Sequence, residues 1–326
     1  MILSYLLRLL CLCFASFFAL NVALGLAVRL FSRSAIRFAE TKPPGAAARH
    51  LLLLRLLPFF LAALFVLALC IPSYLWLEPA ATAERVGSFC AVLGIFGAAT
   101  CSLSLIRAAR AVLASSRYKR FCASAGRETR ISGGRYPVVI VEQDAPLVVL
   151  SGLLHSRLLI SRGVLQKLSP EELDIALRHE QAHLVSRDNA KRLLLLFAPD
   201  IFPLIQPLRI LEDHWSKFTE WAADDRAVAG DSRHALSLAS ALVRVARMGA
   251  GLRLPLLSAS LLTCDRELST RVHRLLHPSP APFLPARQAP LRLPLVGFLL
   301  AAGFLVILLA PSALSAVHEL LEIFIH

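Results

Sequence analysis

The chain has 326 residues, of which 56% are hydrophobic and only 17% are charged, whereas a soluble protein carries about 25% charged residues. The apolar residues are concentrated in long blocks, which excludes an ordinary soluble globular protein. The net charge of +13 comes from basic residues beside these blocks, and this favours contact with anionic lipid over direct binding of nucleic acid. The seven cysteines include no C-x-x-C pair, which argues against a disulfide framework and against a thiolate metal site.

Three uncharged apolar blocks in the first third of the chain predict membrane-spanning helices. They cover about residues 9–28, 56–77 and 86–106, and each supplies the roughly 20 residues that a helix needs to cross the hydrocarbon core. The first block is longer than the apolar part of a signal peptide, so we expect it to remain as a span. On this basis we assign residues 1–114 to a membrane domain.

The basic residues set the orientation of these spans. Six lie between the first and second blocks and five directly after the third, whereas residues 78–85 contain one. By the positive-inside rule, the richly basic connections face the cytoplasm and both chain termini lie outside. We therefore expect a multi-pass membrane protein with its large central segment in the cytoplasm.

The central segment, residues 115–280, is predicted to form a cytoplasmic domain. Runs of leucine and β-branched residues at 137–141, 147–150 and 157–161 are interrupted by glycine and proline, and they predict a small sheet. Two later amphipathic patterns, at 233–248 and 266–276, predict helices.

An H-E-x-x-H pentapeptide begins at His179, in the middle of a predicted helix. A capping box formed by Ser169 and Glu172 marks the start of that helix. Because His179 and His183 are four residues apart, they share one helix face and both imidazoles can bind one metal ion. Glu180 would be the general base that takes a proton from the attacking water. The pattern therefore predicts a zinc hydrolase.

A second predicted helix, residues 212–225, offers the third ligand that a catalytic zinc ion needs. Glu220 and Asp224 are four residues apart and share a face. We assign Glu220 as the third ligand and Asp224 as the carboxylate that orients a ligand histidine. His214 and Asp188 remain alternative ligands, although Asp188 is explained more simply by pairing with a neighbouring arginine or by holding the first helix in place.

Residues 193–205 are strongly apolar but contain two prolines and an aspartate, and they are too short to cross a membrane. Two interpretations stay open: the segment dips into the membrane interface, or it is a broken core connection between the two helices. Further on, residues 281–326 comprise a proline-rich linker, a fourth apolar block at about 293–314 and a short extracytoplasmic tail. The predicted fold is an α-helical membrane protein with four transmembrane helices and an α+β, zincin-like metallopeptidase domain between spans three and four.

These patterns resemble the BlaR/MecR-type integral-membrane zinc peptidases, the beta-lactam-sensor family. The segments that carry the resemblance are 147–160, 168–173, 179–189, 220–225 and 271–275. The layout of spans around a zinc domain is similar as well. The resemblance implies an endopeptidase of the bacterial inner (cytoplasmic) membrane that cleaves a cytoplasmic protein, such as a transcriptional repressor, or itself. Members that sense beta-lactams carry an extracellular acyl-serine domain after the fourth span, and we expect none here because about a dozen residues follow that span.

We therefore predict a membrane-embedded zinc endopeptidase that cleaves cytoplasmic or membrane-proximal proteins in regulated proteolysis or signalling. A membrane quality-control protease of the heat-shock type shares the H-E-x-x-H and E-x-x-x-D patterns and remains an alternative. A non-catalytic signalling scaffold with a vestigial site is a second alternative, which bound zinc would exclude. The sequence leaves open the substrate, the activating signal, latency or self-cleavage, and the oligomeric state.

Overall fold

A computed structural model describes residues 2–77, 86–129, 138–142, 147–151, 157–200, 208–248, 258–260, 267–277, 314–316 and 319. The described part of the chain is mostly helical. It contains a group of long apolar helices, a sheet, and a set of shorter helices that packs against both.

Within the described residues, three long apolar helical units have the length and composition to cross a membrane. They are α1 (Ile2–Glu40), α2 (Pro44–Phe65) with its continuation, and α4 (Ser88–Ala125). α2 continues through a π-helical segment, Val66–Cys70, into α3 (Ile71–Leu77). These units contain the first three predicted spans, whereas residues 293–313 of the fourth predicted span lie outside the described residues.

The long helices extend beyond the apolar blocks because the sequence contains no terminating residue where the blocks end. α1 continues to Glu40 and stops before Pro43 and Pro44, where proline disfavours the helical conformation of the residue before it. α4 likewise crosses the boundary that we drew at residue 114 and runs to Ala125. The π-helical segment directly precedes α3, whose second residue, Pro72, lacks a backbone N–H and crowds the preceding turn.

α1 and α4 approach closely at two glycines. A Cβ atom on Gly97 would overlap the carbonyl oxygen of Phe14, and one on Gly94 would lie 2.8 Å from the Sγ atom of Cys11. Small residues of this kind let membrane helices pack with their backbones in near contact. A larger side chain at Gly97 would force the two helices apart.

The sheet has five strands: β1 (Gly126–Thr129), β2 (Val138–Val141), β3 (Val148–Ser151), β4 (Arg157–Ser161) and β5 (Ser258–Ser260). Their order is β1-β2-β4-β3-β5, in which β2 and β4 are parallel and the other neighbours antiparallel. The three strands that form the centre of this order lie where the β-branched runs predict them. The edge strands β1 and β5 were not predicted, because Gly-Arg-Glu-Thr and Ser-Ala-Ser lack such a run.

The remaining described helices are α5 (Arg162–Lys167), α6 (Pro170–Ser186), α7 (Asp188–Phe197), α8 (Arg209–Val228), α9 (Ser232–Arg247) and α10 (Leu268–Leu276). One hydrophobic core joins α6, α9 and α10 to the sheet. A second core joins α1 and α2 to α8, with Trp215 and Phe218 of α8 among its buried members. α8 therefore packs on the membrane helices on one side and on α6 on the other.

Candidate metal centre

α6 presents the H-E-x-x-H pentapeptide from the middle of a well-capped helix. The Ser169 hydroxyl accepts a hydrogen bond from the backbone N–H of Glu172 at 3.2 Å, and the Glu172 carboxylate accepts one from the backbone N–H of Ser169 at 2.9 Å. This reciprocal capping box is the one that the sequence predicts. The helix ends at Arg187, whose φ of 54° and ψ of 42° lie in the left-handed region, and α7 begins at the next residue. The chain thus turns sharply just after the second histidine.

Two imidazoles and one carboxylate converge at the interface of α6 and α8. The Nε2 atoms of His179 and His183 are 3.2 Å apart. Glu220 places Oε2 3.5 Å from Nε2 of His179 and Oε1 3.7 Å from Nε2 of His183. All three side chains are buried, and their ligand atoms lie within 4.8 Å of one another.

These distances fit a tetrahedral metal ion. Zinc binds histidine nitrogen and carboxylate oxygen at about 2.0–2.2 Å, so neighbouring ligand atoms around it are about 3.3–3.5 Å apart. Among the described residues, neither carboxylate oxygen of Glu220 accepts a hydrogen bond, although Nη1 of Arg271 approaches Oε2 at 3.2 Å. A buried carboxylate whose oxygens face two imidazole nitrogens is the arrangement that a divalent cation stabilises.

Each histidine has a carboxylate beside its other ring nitrogen. Oδ1 of Asp224 lies 3.0 Å from Nδ1 of His179, and Oδ2 of Asp188 lies 2.8 Å from Nδ1 of His183. A proton on Nδ1 that faces a carboxylate leaves the Nε2 lone pair available for a metal ion. Both Nε2 atoms, which lie beside Glu220, could then bind one ion.

The sequence interpretation of Asp188 was incomplete. Instead of pairing with an arginine, Asp188 contacts His183 and accepts a hydrogen bond from Nζ of Lys191 at 2.8 Å. The left-handed turn at Arg187 brings it back to the histidine, and sequence patterns do not predict such a turn at a residue other than glycine. The Nδ1 atom of His214 lies 2.8 Å from the carbonyl oxygen of Ile210. Neither alternative ligand belongs to the metal-binding group found among the described residues.

Arg271 of α10 is a residue of the centre whose role the sequence analysis missed. Its side chain is 4% exposed and forms two hydrogen bonds to Asp224, from Nε to Oδ2 at 2.9 Å and from Nη2 to Oδ1 at 2.6 Å. It also approaches Glu220. The signal that could have found it is helical spacing: Arg271 lies three residues after Leu268 and four before Leu275, on the apolar face of α10. An arginine in that position requires a buried carboxylate partner.

The electrostatics of the metal-free protein show how strongly the centre attracts positive charge. Burial would raise the pKa of Glu220, but the neighbouring histidines and Arg271 hold it well below the usual value. Burial opposes ionisation of Asp224 in the same way, yet Arg271 and His179 lower its pKa to about 2. Burial lowers the pKa of His183, but Glu220 and Asp188 outweigh it and raise the pKa to about 10. Without metal, a proton on His183 thus provides positive charge where a cation would bind.

Glu180 follows His179 on α6 and is fully buried. Its charge acts on His183 and on Arg271, which places it in the electrostatic environment of the centre. A buried carboxylate beside a metal-binding group can exchange a proton with a water molecule held there. The arrangement thus contains the candidate ligands, the candidate base and the groups that orient the ligands.

The apolar helices and the buried histidine–histidine–glutamate group together are characteristic of a membrane-associated metallopeptidase. Comparison with protein families identifies the family. The model described as BlaR1 peptidase M56 matches residues 80–275, which is more than half of the chain. The chain belongs to this family of metallopeptidases, and the resemblance drawn from the sequence is confirmed. A search of curated proteins gave no match.

Proposed function

We propose that the chain is a zinc-dependent endopeptidase that acts on protein substrates at the cytoplasmic face of a bacterial inner membrane. The observation that carries this proposal is the buried convergence of His179, His183 and Glu220 from two helices. Two imidazoles and one carboxylate are a ligand set typical of catalytic zinc, which keeps a fourth position open for water or substrate. Among common divalent ions, magnesium and calcium prefer all-oxygen sites instead.

Bound zinc would supply Lewis-acid polarisation of the peptide carbonyl and would lower the pKa of the attacking water. Glu180 takes the proton of that water and later donates it to the leaving amine. Asp224 and Asp188 hold the two imidazoles in orientation through their Nδ1 atoms. Arg271 offsets the charge of Glu220 and Asp224, so that both remain ionised although they are buried.

A fourth span, and a domain inserted between spans three and four, are supported by the position of Leu314. The Ser73 hydroxyl donates a hydrogen bond to the carbonyl oxygen of Leu314 at 3.0 Å, and Leu314 is buried. Ser73 lies 18 residues beyond Arg55 along α2 and its continuation, which corresponds to about 27 Å of helix. α10 packs on α9 in the domain of the metal centre, whereas Leu314 contacts Ser73 about 27 Å further along α2 and its continuation. The chain between residues 277 and 314 therefore has to cover roughly that distance. We propose that the fourth apolar block covers it.

Regulated proteolysis is supported by the attachment of α8 to the membrane helices. Nε of Arg55 in α2 donates a hydrogen bond to Oε1 of Glu212 in α8 at 2.7 Å, and the Arg55 side chain is 3% exposed. The same helix carries Glu220 two turns further on. A shift of α2 would therefore move a candidate metal ligand relative to the two histidines. The resemblance to repressor-cleaving peptidases makes a cytoplasmic repressor, or the chain itself, the substrates to examine first.

The substitution Glu180→Gln tests this function. We expect the variant to bind zinc as the parent does and to lose proteolysis by a factor of about 10²–10⁴, because general-base catalysis contributes that much. Elemental analysis of the purified protein measures the metal, and mass spectrometry of protein termini in cells measures cleavage. Glu171→Gln is a matched control, since Glu171 is exposed in the first turn of the same helix.

A fully active Glu180→Gln variant would refute the mechanism. A wild-type protein that binds no zinc would favour the non-catalytic scaffold. Cleavage confined to misfolded membrane proteins would favour the quality-control protease.

A further inference from the structure

α7 leads away from the metal centre and packs among the membrane helices. It starts at Asp188, beside His183, and it contacts α4. At its other end, the ring of Phe197 packs edge-on against that of Phe59 in α2, with 5.7 Å between ring centroids. Just beyond this end, Nδ2 of Asn21 in α1 donates a hydrogen bond to the backbone carbonyl oxygen of Asp200 at 3.3 Å.

These contacts give the depth of the α7 end relative to the apolar blocks. Asn21 lies eight residues before Arg29, the first charged residue after the first block, which corresponds to about 12 Å of helix. Phe59 lies four residues beyond Arg55 in α2, or about 6 Å. The end of α7 thus reaches about 6–12 Å further into the membrane domain than the basic residues that mark its cytoplasmic edge.

The chain after α7 is not helical. At membrane depth such a segment is tolerated where other protein groups form hydrogen bonds with its backbone N–H and C=O groups. Arg55 donates from Nη2 to the carbonyl oxygen of Ala198 at 3.4 Å, and the same atom lies 4.0 Å from Oδ2 of Asp200. Ala198, Pro199 and Asp200 are all buried. The segment is therefore held inside the helix group rather than lying on its surface.

The outer face of this corner is apolar and exposed. Val185, two residues after His183, is 64% exposed, and Leu194 and Phe197 of α7 are each 43% exposed. We call these three residues the α6–α7 corner. Since Phe197 packs on Phe59 of α2, and the adjacent Phe60 is 50% exposed, the Phe197 end of this corner is continuous with the exposed apolar surface of α2. Acyl chains of the inner leaflet are the occupant that this continuity favours.

We propose that the α6–α7 corner is inserted in the inner leaflet, and that the metal centre therefore cleaves peptide bonds next to membrane-embedded segments. This inference rests on the proposed peptidase function and narrows its substrates to proteins with a membrane segment, which include the chain itself but not a soluble repressor. α7 rises about 14 Å from Asp188 to Phe197. Because its Phe197 end lies about 6–12 Å deeper than the basic residues at the cytoplasmic edge, the metal centre at the other end lies at most about 2–8 Å outside that edge. An extended peptide covers about 3.3 Å per residue, so the scissile bond would lie within a few residues of the hydrocarbon.

The depth of the corner can be measured with tryptophan fluorescence. Leu194→Trp and Phe197→Trp are prepared in the full chain and reconstituted in phosphatidylcholine–phosphatidylglycerol vesicles with acyl chains brominated near the headgroup. Emission of the three native tryptophans is subtracted with the parent protein. We expect the added emission of both variants to be quenched. Leu236→Trp is the control, because Leu236 is 58% exposed on α9 and should not be quenched. Unquenched emission at both 194 and 197 would overturn the insertion.

The substrate class is tested by mapping new protein N-termini in cells that express the wild-type chain or Glu180→Gln. We expect the wild-type-dependent termini to lie within about ten residues of the cytoplasmic end of a membrane segment. Termini in soluble proteins, far from any membrane segment, would overturn this inference and leave the proposed function intact. If no termini depend on Glu180, the proposed function fails, and the inference fails with it.

Discussion

Removing Arg271 tests most directly how the metal centre is held together. Arg271 lies in α10, whereas the carboxylates that it contacts, Asp224 and Glu220, lie in α8. Arg271→Met keeps a similar side-chain volume but removes the charge. Two buried carboxylates then lose their nearest guanidinium partner, while His179 and His183 remain as their positive neighbours when protonated.

The expected loss is large because the ion pair is buried. Breaking a buried, hydrogen-bonded ion pair by removal of one partner destabilises a protein by about 3–5 kcal/mol. With an unfolding entropy of about 2.1 cal/mol/K per residue over 326 residues, that loss lowers the unfolding midpoint by roughly 4–7 °C. Zinc supplies compensating positive charge beside Glu220, so the loss should be smaller in the zinc-loaded protein. The stability of Arg271→Lys should fall between that of the parent and that of Arg271→Met, because an ammonium group keeps the charge but cannot form the bidentate contact with Asp224.

Thermal unfolding of detergent-solubilised protein, with and without zinc, measures these differences. Arg178→Met is the control: Arg178 forms an exposed pair with Asp174 at 2.9 Å, and such pairs contribute about 0.3–0.5 kcal/mol. Adding Asp224→Asn to Arg271→Met should restore part of the lost stability. If Arg271→Met unfolds with the same midpoint as the Arg178→Met control, our account of the buried ion pair is wrong.

Three further predictions concern the groups around the histidines. Asp188→Asn should weaken zinc binding about 10–100-fold, because it removes the carboxylate beside Nδ1 of His183. Competition with a fluorescent chelator measures the affinity, and an unchanged affinity would contradict the role of Asp188 in orienting His183. Chelation of zinc should abolish proteolysis, and zinc should restore it; activity that persists in metal-free protein would exclude a metal-dependent reaction. The ionised Asp224, whose folded-state pKa of about 2 lies below the usual 3.8, should stabilise metal-free protein fully above about pH 4 and lose this contribution as the pH falls towards 2. Unfolding midpoints across this range should therefore fall less in Asp224→Asn than in the parent, and parallel curves would contradict the assignment.

Much of the fold follows from patterns within short stretches of sequence. Uninterrupted apolar blocks predicted the three long helices, since a hydrocarbon environment requires both length and the absence of charge. β-branched runs predicted β2, β3 and β4, whereas β1 and β5 are stabilised by pairing with a neighbouring strand, which for β5 lies about 110 residues earlier in the chain. Such pairing has no local signature in a four-residue or a three-residue strand.

The candidate site shows the same division. The pair His179 and His183 follows from the helical period, because side chains four residues apart must share a face. The contact of Asp188 depends on a left-handed turn at Arg187, and that of Arg271 depends on how α10 docks on α8. Neither can be predicted from a single stretch of sequence, because each is decided by packing between separate helices.

The sequence by itself determined the apolar helices and the part of α6 that presents His179, Glu180 and His183. Both follow from the spacing of residues along one segment of the chain. Only the tertiary structure decided that Glu220 faces those imidazoles, that a buried guanidinium from a third helix lies beside it, and that α7 runs from the centre to the long apolar helices. These are relations between elements distant in sequence, and they are fixed by the burial of apolar surface and by the pairing of charges that burial removes from water.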